Sequence, residues 1–196
     1  GLVILDEKDN VIRPALLWND SRSQKQTDKL NESKDFLLDN TANIAFAGFT
    51  APKILWLEKN EKDNFERISK IMLPKDYINY ILTGVHACDY SDASGMLLLD
   101  VEHKCWSEEM LSICSVTLAQ MPALYESCDC IGTVKPEIAA ALSAGIPVFE
   151  RAEAWGALML QYKNALCVSG THGKTTTTSM CTHILMAAEK DPTVMI

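Results

Sequence analysis

Gly48-Phe-Thr-Ala-Pro-Lys-Ile-Leu-Trp-Leu-Glu-Lys-Asn60 carries a proline near its start and a run of large apolar residues at its centre. Proline has no backbone N–H to lose in a first helical turn, and a threonine oxygen can accept from the orphan N–H groups there. Thr50 is therefore read as a helix cap and Pro52 as a first-turn residue. Ile54, Leu55, Trp56 and Leu57 then supply the packing surface of a buried helix. Upstream, Leu2-Val-Ile-Leu5 and Val11-Ile12 flank a charged turn at residues 6–10, which reads as a hairpin, with residues 14–18 as a further strand. Residues 21–30 suit an exposed helix capped by Ser21. Downstream, Ile131-Gly-Thr-Val134 reads as a strand, and Lys135-Pro-Glu-Ile-Ala-Ala-Ala-Leu142 as a helix opened by its proline.

The 48–60 stretch also resembles the first signature of the FGGY carbohydrate kinases, with Gly48, Thr50, Lys53, Trp56 and Asn60 in place. Arg13-Pro-Ala-Leu-Leu-Trp-Asn-Asp20, Leu73-Pro-Lys-Asp-Tyr-Ile-Asn-Tyr-Ile-Leu-Thr-Gly84, Asp89-Tyr-Ser-Asp-Ala-Ser-Gly95 and Gln120-Met-Pro-Ala-Leu-Tyr-Glu126 look like the xylulokinases of that family. The resemblance runs from residue 1 to about residue 142. It implies an α/β fold, the N-terminal domain of a ribonuclease-H-like (actin-type ATPase) kinase, with ATP and Mg²⁺ as cofactors, a pentulose substrate and a cytoplasmic location. Such kinases transfer a phosphoryl group in line, by positioning and charge stabilisation, while an aspartate takes the hydroxyl proton. In the family that aspartate lies downstream of the matched region, so no catalytic residue is assigned. The opening phosphate-binding hairpin and a Met-His pair are expected to be missing too, leaving the kinase part incomplete and inactive. Of the sugar pocket, the resemblance leaves Trp18, Asn19 and Asp20. A competing reading packs Trp18 beside the strand and makes Asp20 a turn or cap residue. Asp76, Asp89 and Asp92 are read as caps and turn residues, none as the base.

A second pattern stands near the other end. Gly170-Thr-His-Gly-Lys-Thr-Thr176 follows the apolar run Ala165-Leu-Cys-Val168 and precedes residues 176–188, which suit a helix. Glycines let a backbone approach an anion, and a helix start adds N–H donors and a partial positive charge. Gly170, Thr171, His172, Gly173, Lys174, Thr175 and Thr176 are the candidate nucleotide-binding residues. Lys174 would reach the terminal phosphates, and the Thr175 hydroxyl would ligate Mg²⁺. The strict spacing of such loops needs glycine at 168, where this chain has Val168. The run from Asn164 to Ile196 resembles the central ATPase domain of the Mur ligases, most closely the UDP-N-acetylmuramate:L-alanine ligases of peptidoglycan synthesis. Gly145-Ile-Pro-Val-Phe-Glu-Arg-Ala-Glu153 fits the same family. The expected organisation is thus a partial kinase domain at 1–142 and a ligase-like strand, P-loop and helix at 143–196. Three functional classes stay open: an incomplete sugar kinase, a nucleotide-binding module, and a chimera whose parts have no joint function.

Composition narrows the partners. The 196 residues carry a formal charge of −8, with fourteen Lys and Arg against twenty-two Asp and Glu in residues 1–142 and four of each in 143–196. That balance argues against nonspecific nucleic-acid binding and against anionic membranes, both of which need a basic face. Lys59, Lys62 and Lys70 are interspersed with acids and read as a solvated surface. The seven cysteines include the pair Cys128-x-Cys130, too tight for the usual zinc arm, and the four histidines add no second arm. Reduced thiols, several of them buried as small apolar residues, are expected. No signal peptide, membrane-length apolar run or repeat is read from the chain.

Overall fold

The computed structural model describes residues 1–143 together with Cys181, Met186 and Ala188. The chain divides into two units, Gly1–Ala144 and Gly145–Ile196, and the elements below belong to the first. The nucleotide-binding candidates Gly170–Thr176 and the apolar run before them lie outside the described residues. Within the helix expected at 176–188, Cys181 and Met186 are helical.

Strand β1 (Val3–Leu5) is apolar throughout and buried on both faces. Leu2 and Ile4 join the main core, whereas Val3 and Leu5 pack with Met72, Tyr77 and Tyr80. The expected hairpin is present: Leu5 faces Val11, and the Ile12 amide donates to the Ile4 carbonyl at 3.1 Å. Leu2 then faces Leu16, with bonds of 2.8 and 2.9 Å between them. Three steps along β1 thus match five along the returning chain. The surplus falls around Arg13 and Pro14, where a residue without an amide hydrogen costs no ladder bond. Residues 14–18 are accordingly one bridge of the hairpin's return and not a separate strand.

Helix α1 (Gln24–Leu30) begins three residues after Ser21, which does not cap it, and it is not simply exposed. Ser23, Thr27 and Leu30 are buried on its inner side. A 3₁₀ turn at Asn31–Ser33 leads to α2 (Lys34–Thr41), which ends at Ala42 in the left-handed region. Helix α3 (Thr50–Asn60) is the one read from the 48–60 stretch. Its packing face is Ala51, Ile54 and Leu57, with Leu55 and Trp56 only half-buried. Thr50 does not cap it. Its hydroxyl donates to the Gly1 carbonyl at 2.9 Å, because Phe49 is the preceding extended residue and Thr50 already lies inside the helix.

The short α4 (Lys62–Phe65) leads to β2 (Lys70–Met72), which pairs antiparallel with β1, Val3 against Met72 and Leu5 against Lys70. Lys70 is not simply solvated, since its ammonium is bonded to Asp9 and lies 5.9 Å above the Tyr80 ring. Helix α5 (Pro74–Thr83) starts on its proline and ends at Gly84, whose φ of +80° suits glycine. Strand β3 (Ala87–Asp89) runs straight into α6 (Tyr90–Ser94). β4 (Leu99–Asp100) and β5 (Cys105–Trp106) form a tight antiparallel pair before α7 (Glu108–Ile113). After a 3₁₀ turn, β6 (Ala123–Tyr125) pairs parallel with β3.

Residues 131–134 are not a strand. Gly132 turns away at φ +153°, Val134 is exposed, and the Lys135 amide donates to the Leu82 carbonyl at 2.8 Å. Lys135 lies along Gly84 and places its ammonium 5.8 Å above Tyr80, and α8 (Pro136–Ser143) follows. No helix among the described residues is long and apolar enough to cross a membrane.

Candidate functional site

Past Leu16 the chain leaves the sheet and turns a corner, the Asp20 amide donating to the Leu17 carbonyl at 3.1 Å. Trp18 stands 78% exposed at its tip, beside an exposed Asn19. The reading of Trp18 as an aromatic packed beside the strand therefore fails. Asp20 does serve the turn: its carboxylate accepts from the Arg22 amide at 3.0 Å. The same carboxylate takes the Arg22 guanidinium, with Nε at 2.9 Å from both oxygens and a terminal nitrogen at 2.8 Å. That hydrogen bonding holds the Asp20 carboxyl below its usual range and raises Arg22. The guanidinium in turn lies 4.9 Å from the Trp56 ring centre, a cation–π stack. The structure thus leaves Trp18 and Asn19 free toward solvent, with Asp20 engaged from one side.

What lies under the corner explains the 48–60 stretch residue by residue. A β-carbon on Gly48 would sit 2.7 Å from the Trp18 carbonyl oxygen, so only glycine allows the two backbones to cross. Lys53, on α3, is wholly buried and donates to the Asp20 and Ala47 carbonyls, 2.7 Å each. Burial pulls its ammonium below the ordinary lysine value, the Asp20 charge working the other way. The Ser23 hydroxyl also reaches the Ala47 carbonyl, at 3.1 Å. Asn60 donates to the Trp56 carbonyl at 2.8 Å near the helix end.

A second constellation, one that reading the chain did not assemble, gathers around Lys75. Its ammonium meets Asp76 at 2.6 Å, Asp89 at 2.5 Å and Asp92 at 3.4 Å. Burial opposes the Lys75 charge, but the bonds it donates to Asp76 and Asp89 outweigh that and raise the group. Asp76 accepts from the Leu73 amide at 3.2 Å and Asp89 from the Asp92 amide at 3.2 Å, so the capping duties expected of both are present. Asp76, Cys88 and Asp89 also stand close enough to share a cation. The donor set does not fit that use, because the Lys75 ammonium already supplies the charge and burial holds the Cys88 thiol protonated. Of the cysteines among the described residues, Cys88 and Cys114 are buried, Cys181 is half-buried, Cys105, Cys128 and Cys130 are exposed, and all are free thiols.

Comparison with known proteins places these features. The model of the FGGY family of carbohydrate kinases, N-terminal domain, matches residues 1–153. A xylulose kinase of Lactococcus lactis is 49% identical over 143 residues, covering 71% of this chain and 28% of that protein. One from Escherichia coli is 40% identical over 179 residues, covering 88% of this chain and 37% of that protein. The latter alignment necessarily passes residue 142, into the segment read as ligase-like. Among solved structures, a xyloylose kinase from Brucella ovis superposes with a TM-score of 0.71 at 42% identity, over 73% of this chain and 29% of that one. A ligand-bound xylulose kinase from Lactobacillus acidophilus gives 0.68 at 22% identity, over 74% and 30%, a likeness of fold. The chain spans 28% to 37% of the length of these two curated relatives.

Proposed function

The chain belongs to the FGGY family of carbohydrate kinases, and from that premise we propose that its Trp18–Asn19–Asp20 corner binds a pentulose, D-xylulose, for ATP- and Mg²⁺-dependent phosphorylation in the cytoplasm. The observation that carries this reading is an indole 78% exposed on a corner that is bonded from beneath. An indole face suits the C–H side of a sugar, and Asn19 offers both a donor and an acceptor for hydroxyls. Kinase chemistry further needs a carboxylate free to accept the hydroxyl proton. Asp20, Asp76, Asp89 and Asp92 are each paired with Arg22 or Lys75, so none is offered as that base. The role assigned to this corner is sugar binding. Isothermal titration of D-xylulose tests the assignment. Saturable binding, weakened at least about tenfold by Trp18→Ala, is the expected result; equal binding by the two proteins would remove the corner from the sugar site.

A second reading concerns residues 143–196, and what favours it is the sequence Gly170-Thr-His-Gly-Lys-Thr-Thr176. We propose that this loop holds ATP phosphates, with Lys174 on the terminal groups and the Thr175 hydroxyl on Mg²⁺, as a piece resembling a Mur ligase joined to a kinase domain at 1–142. Binding of a fluorescent ATP analogue that disappears in Lys174→Ala is the expected outcome. Undetectable affinity in the intact chain would sink it and leave a chimera without joint function. One long sequencing read across the codons for residues 128–178 checks that the two parts share a gene.

A further inference from the structure

Lys53 is an unusual resident of a helix face that packs into a core. Its side chain is wholly buried, and among the described residues no carboxylate stands within ion-pair distance of its ammonium. Removing an ammonium from water is costly unless hydrogen bonds replace the lost hydration. A leucine or methionine would fill the same space on α3 without that cost, so packing alone does not account for a lysine.

The ammonium is spent on two backbone carbonyls, Asp20 and Ala47, at 2.7 Å each. They belong to the two segments that make and support the exposed corner. The Asp20 carbonyl follows Asn19 directly. Ala47 precedes Gly48, where an added β-carbon would sit 2.7 Å from the Trp18 carbonyl oxygen. Ser23, at the start of α1, ties to the same Ala47 oxygen at 3.1 Å. On the other side of the corner Arg22 clamps the Asp20 carboxylate and stacks on Trp56, three residues along α3 from Lys53. The corner is thus tied to α3 twice, once through the Asp20 carbonyl and once through its carboxylate. Lys53 itself, being buried, cannot touch a sugar.

We propose that Lys53 is a positioning residue for the pentulose site: from below, it fixes the backbone of residues 18–20 so that Trp18 and Asn19 meet the sugar without an ordering step. The proposal rests on the corner being the sugar-binding element. Fixing a binding group in advance removes the cost of ordering it on association, which is the gain assigned to this buried charge.

The test uses the whole chain carrying 5-fluorotryptophan, with the Trp18 ¹⁹F resonance assigned through Trp18→Phe. In Lys53→Met, the expected result is a cooperative melt, a shifted or broadened Trp18 resonance without ligand, and D-xylulose affinity lower by at least about tenfold. Lys53→Gln can still donate to one carbonyl and is expected to fall between wild type and Lys53→Met, a grading that loss of core packing alone would not produce. A folded Lys53→Met with an unchanged Trp18 resonance and unchanged affinity overturns the proposal. Failure of both variants to fold overturns it in favour of a purely structural role. If the wild-type chain shows no response to D-xylulose, the sugar reading is what fails. The ligand-free Trp18 resonance then decides separately whether Lys53 sets the corner.

Discussion

Replacing Gly48 with alanine should destabilise the protein, whereas the same replacement at Gly95 should not. The added methyl at position 48 meets the Trp18 carbonyl oxygen at 2.7 Å, about 0.7 Å inside the ordinary contact of 3.4 Å that it would make with the Asp92 oxygen at position 95. The obstacle at 48 is backbone and cannot rotate away. Relief requires moving the Trp18 peptide, which strains the Lys53 bond to Asp20 next to it. Such overpacking costs about 1–3 kcal/mol, offset by about 0.4–1 kcal/mol from the stiffer unfolded chain. The net loss is about 1–2 kcal/mol, which for a unit of this size lowers the melting temperature by about 3–7 °C. Gly95 has helical dihedrals, φ −77° and ψ −2°, so alanine there keeps only the gain. Thermal melts followed by far-UV circular dichroism on the two variants and wild type make the comparison. Gly48→Ala melting at or above wild type, or both variants shifting alike, would refute the close crossing of residues 18 and 48.

Burial lowers the His86 imidazole below its usual value, against the pull of the Ile71 carbonyl 2.9 Å away. Its folded pKa then lies below the unfolded one, so its contribution is full above about pH 6.5 and lost as the pH falls through the folded value. Stability should fall as the pH drops below about 6.5, and the fall should be smaller in His86→Gln; equal slopes would refute it. Lys75→Met leaves the buried Asp76 and its neighbour Asp89 without a counter-charge. It should cost about 2 kcal/mol after allowance for the partial exposure of Lys75, and less as acid protonates Asp89. Denaturant titration at two pH values reads both effects, and a loss that grows in acid would contradict them. Native alkylation should label Cys105, Cys128 and Cys130 and spare Cys88 and Cys114, whose thiols burial pushes up, Cys114 to about 12. Mass spectrometry of peptides after brief iodoacetamide treatment checks this, with early labelling of Cys114 as the contrary result.

Local signals in the chain were enough for α3, for the hairpin around residues 6–10, and for the capping duties of Asp76 and Asp89, because each depends on neighbours within a few positions. Lys53 shows where such reading stops. A lysine between Pro52 and Ile54 looks like a solvent-facing residue, and only folding brings it the carbonyls of residues 20 and 47. The Lys75 cluster is hidden for the same reason, since Asp89 reaches it from the end of a different element. Ser21 failed as a cap because Asp20 and Arg22 hold it in a turn and Ser23 precedes the first helical residue. Residues 131–134 have strand-like composition but carry a glycine at φ +153° and a backbone bond to α5. The family resemblance of residues 1–142 was visible in ordered motifs, and the fold it implied matches that of the superposed kinases.

Strand β1 has its neighbours on very different schedules. Val11 and Leu16 follow it within a few residues, whereas Ile71 and Met72, its partners on the other edge, come some 67 to 69 positions later. During synthesis at roughly 5–20 residues per second, the apolar run from Leu2 to Leu5 therefore waits on the order of ten seconds with one edge open. Closing so long a loop is entropically expensive before the contacts it rewards exist. A chaperone that masks apolar strands would find a target in residues 2–5, and slow decoding between the codons for residues 5 and 72 would lengthen that exposure more than slow decoding beyond them.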